Sequence, residues 1–307
     1  GCCAHAALSS ALTNLSGGVD PPVRGERLDD AYINTVLGLE PQAASEGLRP
    51  RQIAQVIDSC GLTAIYQDFF RDPIVEYPHF IHPFLESGFP VLLAFTMEDT
   101  AEPGHVVTVI GHTLNTDLWY PEARLGYFVT SPSERYSYLP ASYWLDNLIV
   151  QDDNYGMYSC VSSSCMAKRT LPHLDRRSRC SFGIGLLPAG IARGPIDAER
   201  KAMFLLRDEL LSLEEIKVRW LQELKDVVAS EWRAPVFRTA LGRKRGYIDH
   251  VRRSVDWDGR SLSRPYFEAL ESDLPSLLWM VEVSIPNLYA ANKTKLGELL
   301  FDVSEPL

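Results

Sequence analysis

Gly1-Cys2-Cys3-Ala4-His5-Ala6-Ala7-Leu8-Ser9-Ser10-Ala11-Leu12 opens the chain, and its reading decides the fold. Ala4, Ala6, Ala7 and Ala11 are strong helix formers, and Ser16-Gly17-Gly18 ends the run. Cys3 therefore falls where a glycine-led turn passes into a helix. A thiol there faces unpaired backbone N–H groups and the positive end of the helix dipole, and both favour the thiolate. The small residues that follow let the helix pack closely beneath a cleft. A cysteine pair on an ordinary Ala-rich core helix is the competing reading, and residues a hundred positions downstream tip the balance.

Those residues are Gly104-His105-Val106-Val107-Thr108-Val109-Ile110-Gly111, an apolar run of strand length. His105 opens the strand directly after a glycine, so its ring projects at a sheet edge, where a base can meet a thiol borne on a helix. Cysteine nucleophilic catalysis needs a thiolate, a base within reach and a group that orients the base. His112, seven residues on and expected on the opposite face of the strand, is a weaker candidate with a structural role. Leu148-Ile149-Val150 is a further strand that breaks at the turn Gln151-Asp152-Asp153-Asn154-Tyr155-Gly156. Asp152 first, and Asp153 second, are the candidates for the orienting carboxylate. The same residues also suit a plain turn.

Four segments in order carry a resemblance. Cys3-Ala4-His5-Ala6-Ala7-Leu8, Gly47-Leu48 through Gly61-Leu62, Gly88-Phe89-Pro90-Val91-Leu92 and the His105 strand resemble bacteriocin-processing cysteine peptidases of the papain-like superfamily. The resemblance covers residues 1–158. It implies an α+β fold, with a cysteine-bearing helix packed on an antiparallel sheet that bears His and Asp. It makes Cys3, not Cys2, the nucleophile, and His105 the base. It also implies a bacterial peptidase that cleaves a peptide or isopeptide bond, or a deamidase or acyl transferase with the same triad. The sequence departs from the family in three places. Ala4-His5 replaces Gly-Pro. The oxyanion-hole glutamine, upstream of the cysteine in that family, cannot be assigned because the sequence starts at Gly1. Ser131-Pro132 stands where the family has Asp-Pro, which keeps open an inactive papain-like module that binds a protein. With the acid placed at Asp152 or Asp153, residues 113–146 read as an insertion.

Elsewhere the pattern is ordinary. Leu28 to Leu37 predicts a short helix closed by Gly38, and Pro50 starts another whose Ile53, Val56, Ile57 and Cys60 share one face. Leu62 to Tyr66, Pro90 to Phe95 and Tyr127 to Thr130 predict strands. Phe80, Ile81, Phe84 and Leu85 form a helical stripe. Tyr143 to Asn147 reads as the end of a short helix. Residues 159–181 read as an irregular linker, and 182–307 as an α+β C-terminal extension able to bind a protein partner. In it, Ile184 to Leu187 predicts a strand and Asp197 to Ala229 predicts helix. Ser212-Leu213-Glu214-Glu215 looks like a capping box. Two strands, Leu277 to Val283 and Gly297 to Val303, follow the basic stretch from Arg238 to Arg253.

The 307 residues carry a net charge of −10, with 40 acidic and 30 basic side chains. That opposes nucleic-acid binding and adhesion to anionic membranes. No apolar run reaches the ~20 residues of a membrane span. Six cysteines are too few for a disulfide scaffold, and together with the lack of a signal peptide they suggest a reducing, cytoplasmic setting. The spacings of Cys160, Cys165, His173 and Cys180 miss those of common zinc sites. His79 and His82, one helical turn apart, suggest a surface pair or a cleft wall. No cofactor and no metal is expected, and the expected partner is a peptide or protein substrate.

Overall fold

The computed structural model describes residues 3–16, 28–40, 47–72, 75–97, 104–117, 138–163, 178–213, 215, 217–229, 235–255 and 259–304. The chain forms two compact units: Gly1–Tyr136 with Pro140–Ile191, and Ser137–Leu139 with Ala192–Leu307. The divide therefore differs from the expected boundaries at 158 and 182. The strand expected to open the C-terminal extension belongs to the first unit instead, and the stretch 159–181 contributes strand at both of its ends.

In the first unit, helices α1 (Cys3–Ser16), α2 (Asp30–Leu37), α3 (Pro50–Ser59) and α4 (Tyr77–Glu86) accompany strands β1 (Leu62–Asp68), β2 (Val91–Met97) and β3 (His105–Leu114), then β5 (Leu145–Asp152), β6 (Gly156–Ser162) and β7 (Ser178–Pro188). These six strands make one sheet in the order β1-β7-β2-β3-β5-β6, every neighbouring pair antiparallel. The fold of this unit is mixed α+β on an antiparallel sheet. β7, from the far end of the unit, lies between β1 and β2 because Ile184 and Leu186 belong in its core.

The sequence explains the helices. In α1, Ala4, Ala7, Leu8, Ala11, Leu12 and Leu15 are buried in one stripe that packs with Ile53, Val56, Ile57, Leu92, Val106, Ile184 and Leu186. Gly38 caps α2 at φ +62°, a left-handed conformation that costs glycine little. Pro50 starts α3 as expected, and Cys60 is a small core residue after its end. The other face of the sheet takes α4. Ile184 and Leu186 face the α1 cluster, so the alternating Gly183 and Gly185 face away from it. A Cβ on Gly183 would stand 2.7 Å from the Phe80 ring, and one on Gly185 would stand 2.1 Å from Phe84. The two glycines thus leave the groove that the aromatic stripe of α4 fills.

Other expectations need correction. Trp144 ends a short 3₁₀ turn, Ala141–Trp144, and β5 begins at Leu145, so Tyr143 to Asn147 is not a helix end. His79 and His82 are not a surface pair, since both are buried at 3% and 2% exposure. The expected Tyr127–Thr130 strand, Ser131-Pro132, Cys2, Cys165 and His173 lie outside the described residues.

In the second unit, β4 (Leu139–Pro140) borders the sheet β10-β9-β8-β4. Its other strands are β8 (Val236–Arg243), β9 (Leu277–Ser284) and β10 (Gly297–Asp302). Helices α5 (Pro195–Phe204), α6 (Arg219–Ala229), α7 (Lys244–Arg252), α8 (Arg264–Asp273) and α9 (Pro286–Asn292) complete it. The expected break in the 197–229 helix is present, but Ser212 does not cap the second piece. Its hydroxyl donates to the carbonyls of Asp208 and Glu209, closing the preceding turn. The carboxylate of Glu199 is buried and accepts hydrogen bonds from Tyr138 Oη at 2.8 Å and Thr239 Oγ1 at 2.9 Å. Arg238, in the basic stretch, pairs with Glu282 at 2.7 Å across β8 and β9. No helix among the described residues is long and apolar enough to cross a membrane.

The glycine groove sets a stability test. Gly185→Ala should cost ~2–3 kcal/mol or more, because the Phe84 ring must move within a packed core. Adding Phe84→Leu should recover part of that loss, as read by urea denaturation of the single and double variants.

Candidate active site

Cys3 is the first residue of α1 and His105 the first of β3. The first turn of α1 carries no acidic side chain, so nothing on the helix itself competes with a thiolate for the positive end of the dipole. The Cys3 thiol and the His105 ring lie close enough to shift each other's titration. His105 Nε2 stands 3.1 Å from Asp152 Oδ2 and 3.6 Å from Asp153 Oδ1. The carboxylates engage Nε2, which leaves Nδ1 as the ring nitrogen able to serve the thiol. All four candidate residues named from the sequence are therefore brought together within the first unit.

The order of the two aspartates is clear in the geometry. Asp152 ends β5 with its side chain 8% exposed, whereas that of Asp153 is 30% exposed and lies farther from the ring. Asp152 Oδ1 accepts the backbone N–H groups of Asn154 at 2.7 Å and Tyr155 at 3.3 Å. One oxygen therefore builds the turn while the other holds the imidazole. The turn reading and the site reading of Asp152 are both visible in one side chain.

The surroundings polarise the pair. The hydrogen bond from His105 draws the Cys3 thiol below its ordinary pKa, helped by the Val106 N–H; partial burial and the charge of Asp153 oppose this. The imidazole is raised to about 9, first by the sulfur and then by Asp152, against burial. The Cys180 thiol provides a contrast, since burial pushes it up to about 12, which leaves it inert. Both shifts run toward the thiolate–imidazolium pair and away from the neutral thiol and imidazole.

Residues not singled out from the sequence hold this arrangement. Thr108 Oγ1, fully buried, donates to the Ala7 carbonyl at 2.6 Å and ties α1 to β3. Gln151 Oε1 accepts from Ser10 Oγ and from Asn14 Nδ2, tying α1 to β5 beside Asp152. His5 Nε2 meets Asn34 Oδ1 at 3.1 Å and ties α1 to α2. The available signal was a lone hydroxyl in the apolar run Val106–Ile110, and a Gln directly before the acid. His112 lies across the sheet from the thiol, the face expected of it, but regular alternation alone does not put it there. Val109 pairs with Val150 and His112 with Leu148, with a bulge between Val109 and Gly111. Regular alternation would have put His112 on the side of Thr108. The bulge turns it to the side of α4, where Nε2 meets Glu86 Oε1 at 2.8 Å.

No protein-family model, curated protein or solved structure matches the chain. Its chemistry must be argued from the arrangement itself. A polarised thiol, a base on its proton and a carboxylate behind the base form the set needed for attack on a carbonyl carbon. The N–H groups at the start of α1 supply dipoles for an oxyanion. Among the described residues, no other candidate read from the sequence joins this cluster. Cys160, on β6, is exposed.

The charge state gives a signed pH test. Alkylation of Cys3 by iodoacetamide should persist below the ordinary thiol pKa and fall only as acid protonates the thiolate. Asp153→Asn removes a charge that opposes the thiolate and should move this acid limb down. Asp152→Asn weakens the imidazolium and should move it up. Mass spectrometry of Cys3 adducts across pH reads both shifts.

Proposed function

We propose that the chain is a papain-like thiol hydrolase that cleaves a peptide or isopeptide bond through Cys3, His105 and Asp152. The observation that carries this reading is the convergence of Cys3, His105 and Asp152, with the imidazole 3.1 Å from the carboxylate and thiol and imidazole shifting each other toward the charged pair. The cysteine helix lying against antiparallel strands that bear the histidine and the aspartate supports the papain-like comparison.

The steps follow from these groups. His105 holds the thiol proton at Nδ1, and the Cys3 thiolate attacks the carbonyl carbon. The resulting oxyanion is held by N–H groups at the start of α1. The imidazolium gives its proton to the leaving amine as the C–N bond breaks. Water, deprotonated by His105, then releases the acyl group and returns the thiol. Asp152 keeps the ring oriented and its charge stabilised throughout.

A polypeptide substrate is favoured by the surface next to the acid. Tyr155, Met157 and Tyr158 are exposed at 85%, 77% and 68%, three to six residues past Asp152 on the turn and the edge strand β6. An edge strand offers unpaired backbone groups to an extended peptide, and these side chains offer it apolar contact. The four described cysteines, Cys3, Cys60, Cys160 and Cys180, are free thiols, in keeping with a cytoplasmic setting.

Cys3→Ala should abolish turnover on a peptide library and leave the thermal melt unchanged. Asp152→Asn should lower kcat on the order of 10²-fold or more, by analogy with other triads. kcat/KM should follow a bell in pH with its alkaline limb near 9, where the imidazolium is lost. Selective labelling of Cys3 by a thiol-reactive probe, followed by assays on peptide, isopeptide and glutamine substrates, separates hydrolysis from deamidation or acyl transfer. Hydrolysis retained in Cys3→Ala would remove this mechanism.

A further inference from the structure

A second cluster of ionisable side chains lies in the first unit, on the α4 side of the sheet. His82 and Glu86 are four residues apart on α4 and therefore share a face. His112 reaches them from β3 because of the bulge between Val109 and Gly111. His112 Nε2 stands 2.8 Å and His82 Nε2 3.9 Å from the same atom, Glu86 Oε1. One donor atom from each residue lies within 4.8 Å of the other two. The imidazole rings are 5.1 Å apart and tilted by 62°, so they are not stacked and their Nε2 atoms converge.

Ligand atoms on one tetrahedral zinc, at about 2.0–2.1 Å from the ion, stand about 3.3 Å from one another. The distances from Glu86 Oε1 straddle that value, so an ion fits with sub-ångström shifts of three side chains. The side chains are 2%, 10% and 11% exposed, enough burial to exclude bulk water and enough opening for an ion to enter. Two imidazoles and one carboxylate suit zinc and its neighbours rather than calcium or magnesium, which prefer oxygen alone.

We propose that His82, Glu86 and His112 bind one late first-row divalent cation, zinc by preference, with water in the open position. The ion ties α4 to β3. His105 and His112 sit seven residues apart on the strand, roughly 20 Å at strand rise. The site is therefore separate from the thiol chemistry, and the inference stands whether or not the chain is a hydrolase.

The test uses protein carrying Cys3→Ala and His105→Ala, so that the thiol cluster takes no metal. Cobalt(II) added to the chelator-stripped protein should give visible ligand-field absorption that saturates at one equivalent, and zinc should displace it. Zinc should also raise the melting temperature, and magnesium should not. Glu86→Gln and His112→Ala should each weaken binding by at least ~10-fold. Absence of the cobalt spectrum, or undiminished affinity in both variants, overturns the site. Should a variant fail to fold, histidine ring signals in the folded parent decide. Zinc must shift those of His82 and His112, and shifts confined to other histidines refute the proposal.

Discussion

An interaction between Cys3, the first residue of a helix, and His105, the first residue of a strand, demands that the two elements lie at one fixed offset. A slip of a single residue moves a helix by ~1.5 Å along its axis, enough to break a hydrogen bond. Thr108 and Gln151 set that offset. The first bonds the carbonyl of Ala7, one turn beyond Cys3, from a point three residues beyond His105. The second holds Ser10 and Asn14 from the residue next to Asp152. Helix, histidine strand and acid strand are thus locked by polar contacts at otherwise apolar faces. The packing of Leu8, Ala11 and Leu12 supplies adhesion, and these bonds supply position.

Economy of atoms marks the acid. The two oxygens of Asp152 serve different masters, one the turn and the other the imidazole. Fixing Oδ1 by two backbone N–H groups removes the rotational freedom that a carboxylate at a strand end would otherwise keep. Orientation of His105 is then a by-product of hairpin formation between β5 and β6.

The helices and strands were legible where periodicity was strong. Ile53, Val56 and Ile57 announced α3, and the apolar runs at 91–95 and 105–110 announced the two central strands. The meeting of Cys3, His105, Asp152 and Asp153 was legible because a helix start, a strand start and a strand end are recognisable from local residue types. Three things were not. The place of β7 between β1 and β2 is a long-range pairing, and Gly183 and Gly185 read as a weak strand until the aromatic rings of α4 are set against them. The burial of His79 and His82 was hidden because polar residues read as surface when the opposing layer is unknown. Ser212 satisfied the pattern of a helix start but closes the helix before it, since either role needs only one hydroxyl near free backbone groups.

The sheet order also governs when this unit can exist at all. Residues up to Ser162 leave a gap between β1 and β2, which only Ser178–Pro188 can fill. During synthesis Leu62–Asp68 and Val91–Met97 both emerge before the strand that lies between them in the sheet. The sheet that bears His105 is therefore completed late, after its closing strand has entered. Any fragment that ends earlier would carry Cys3 without a finished sheet to hold it.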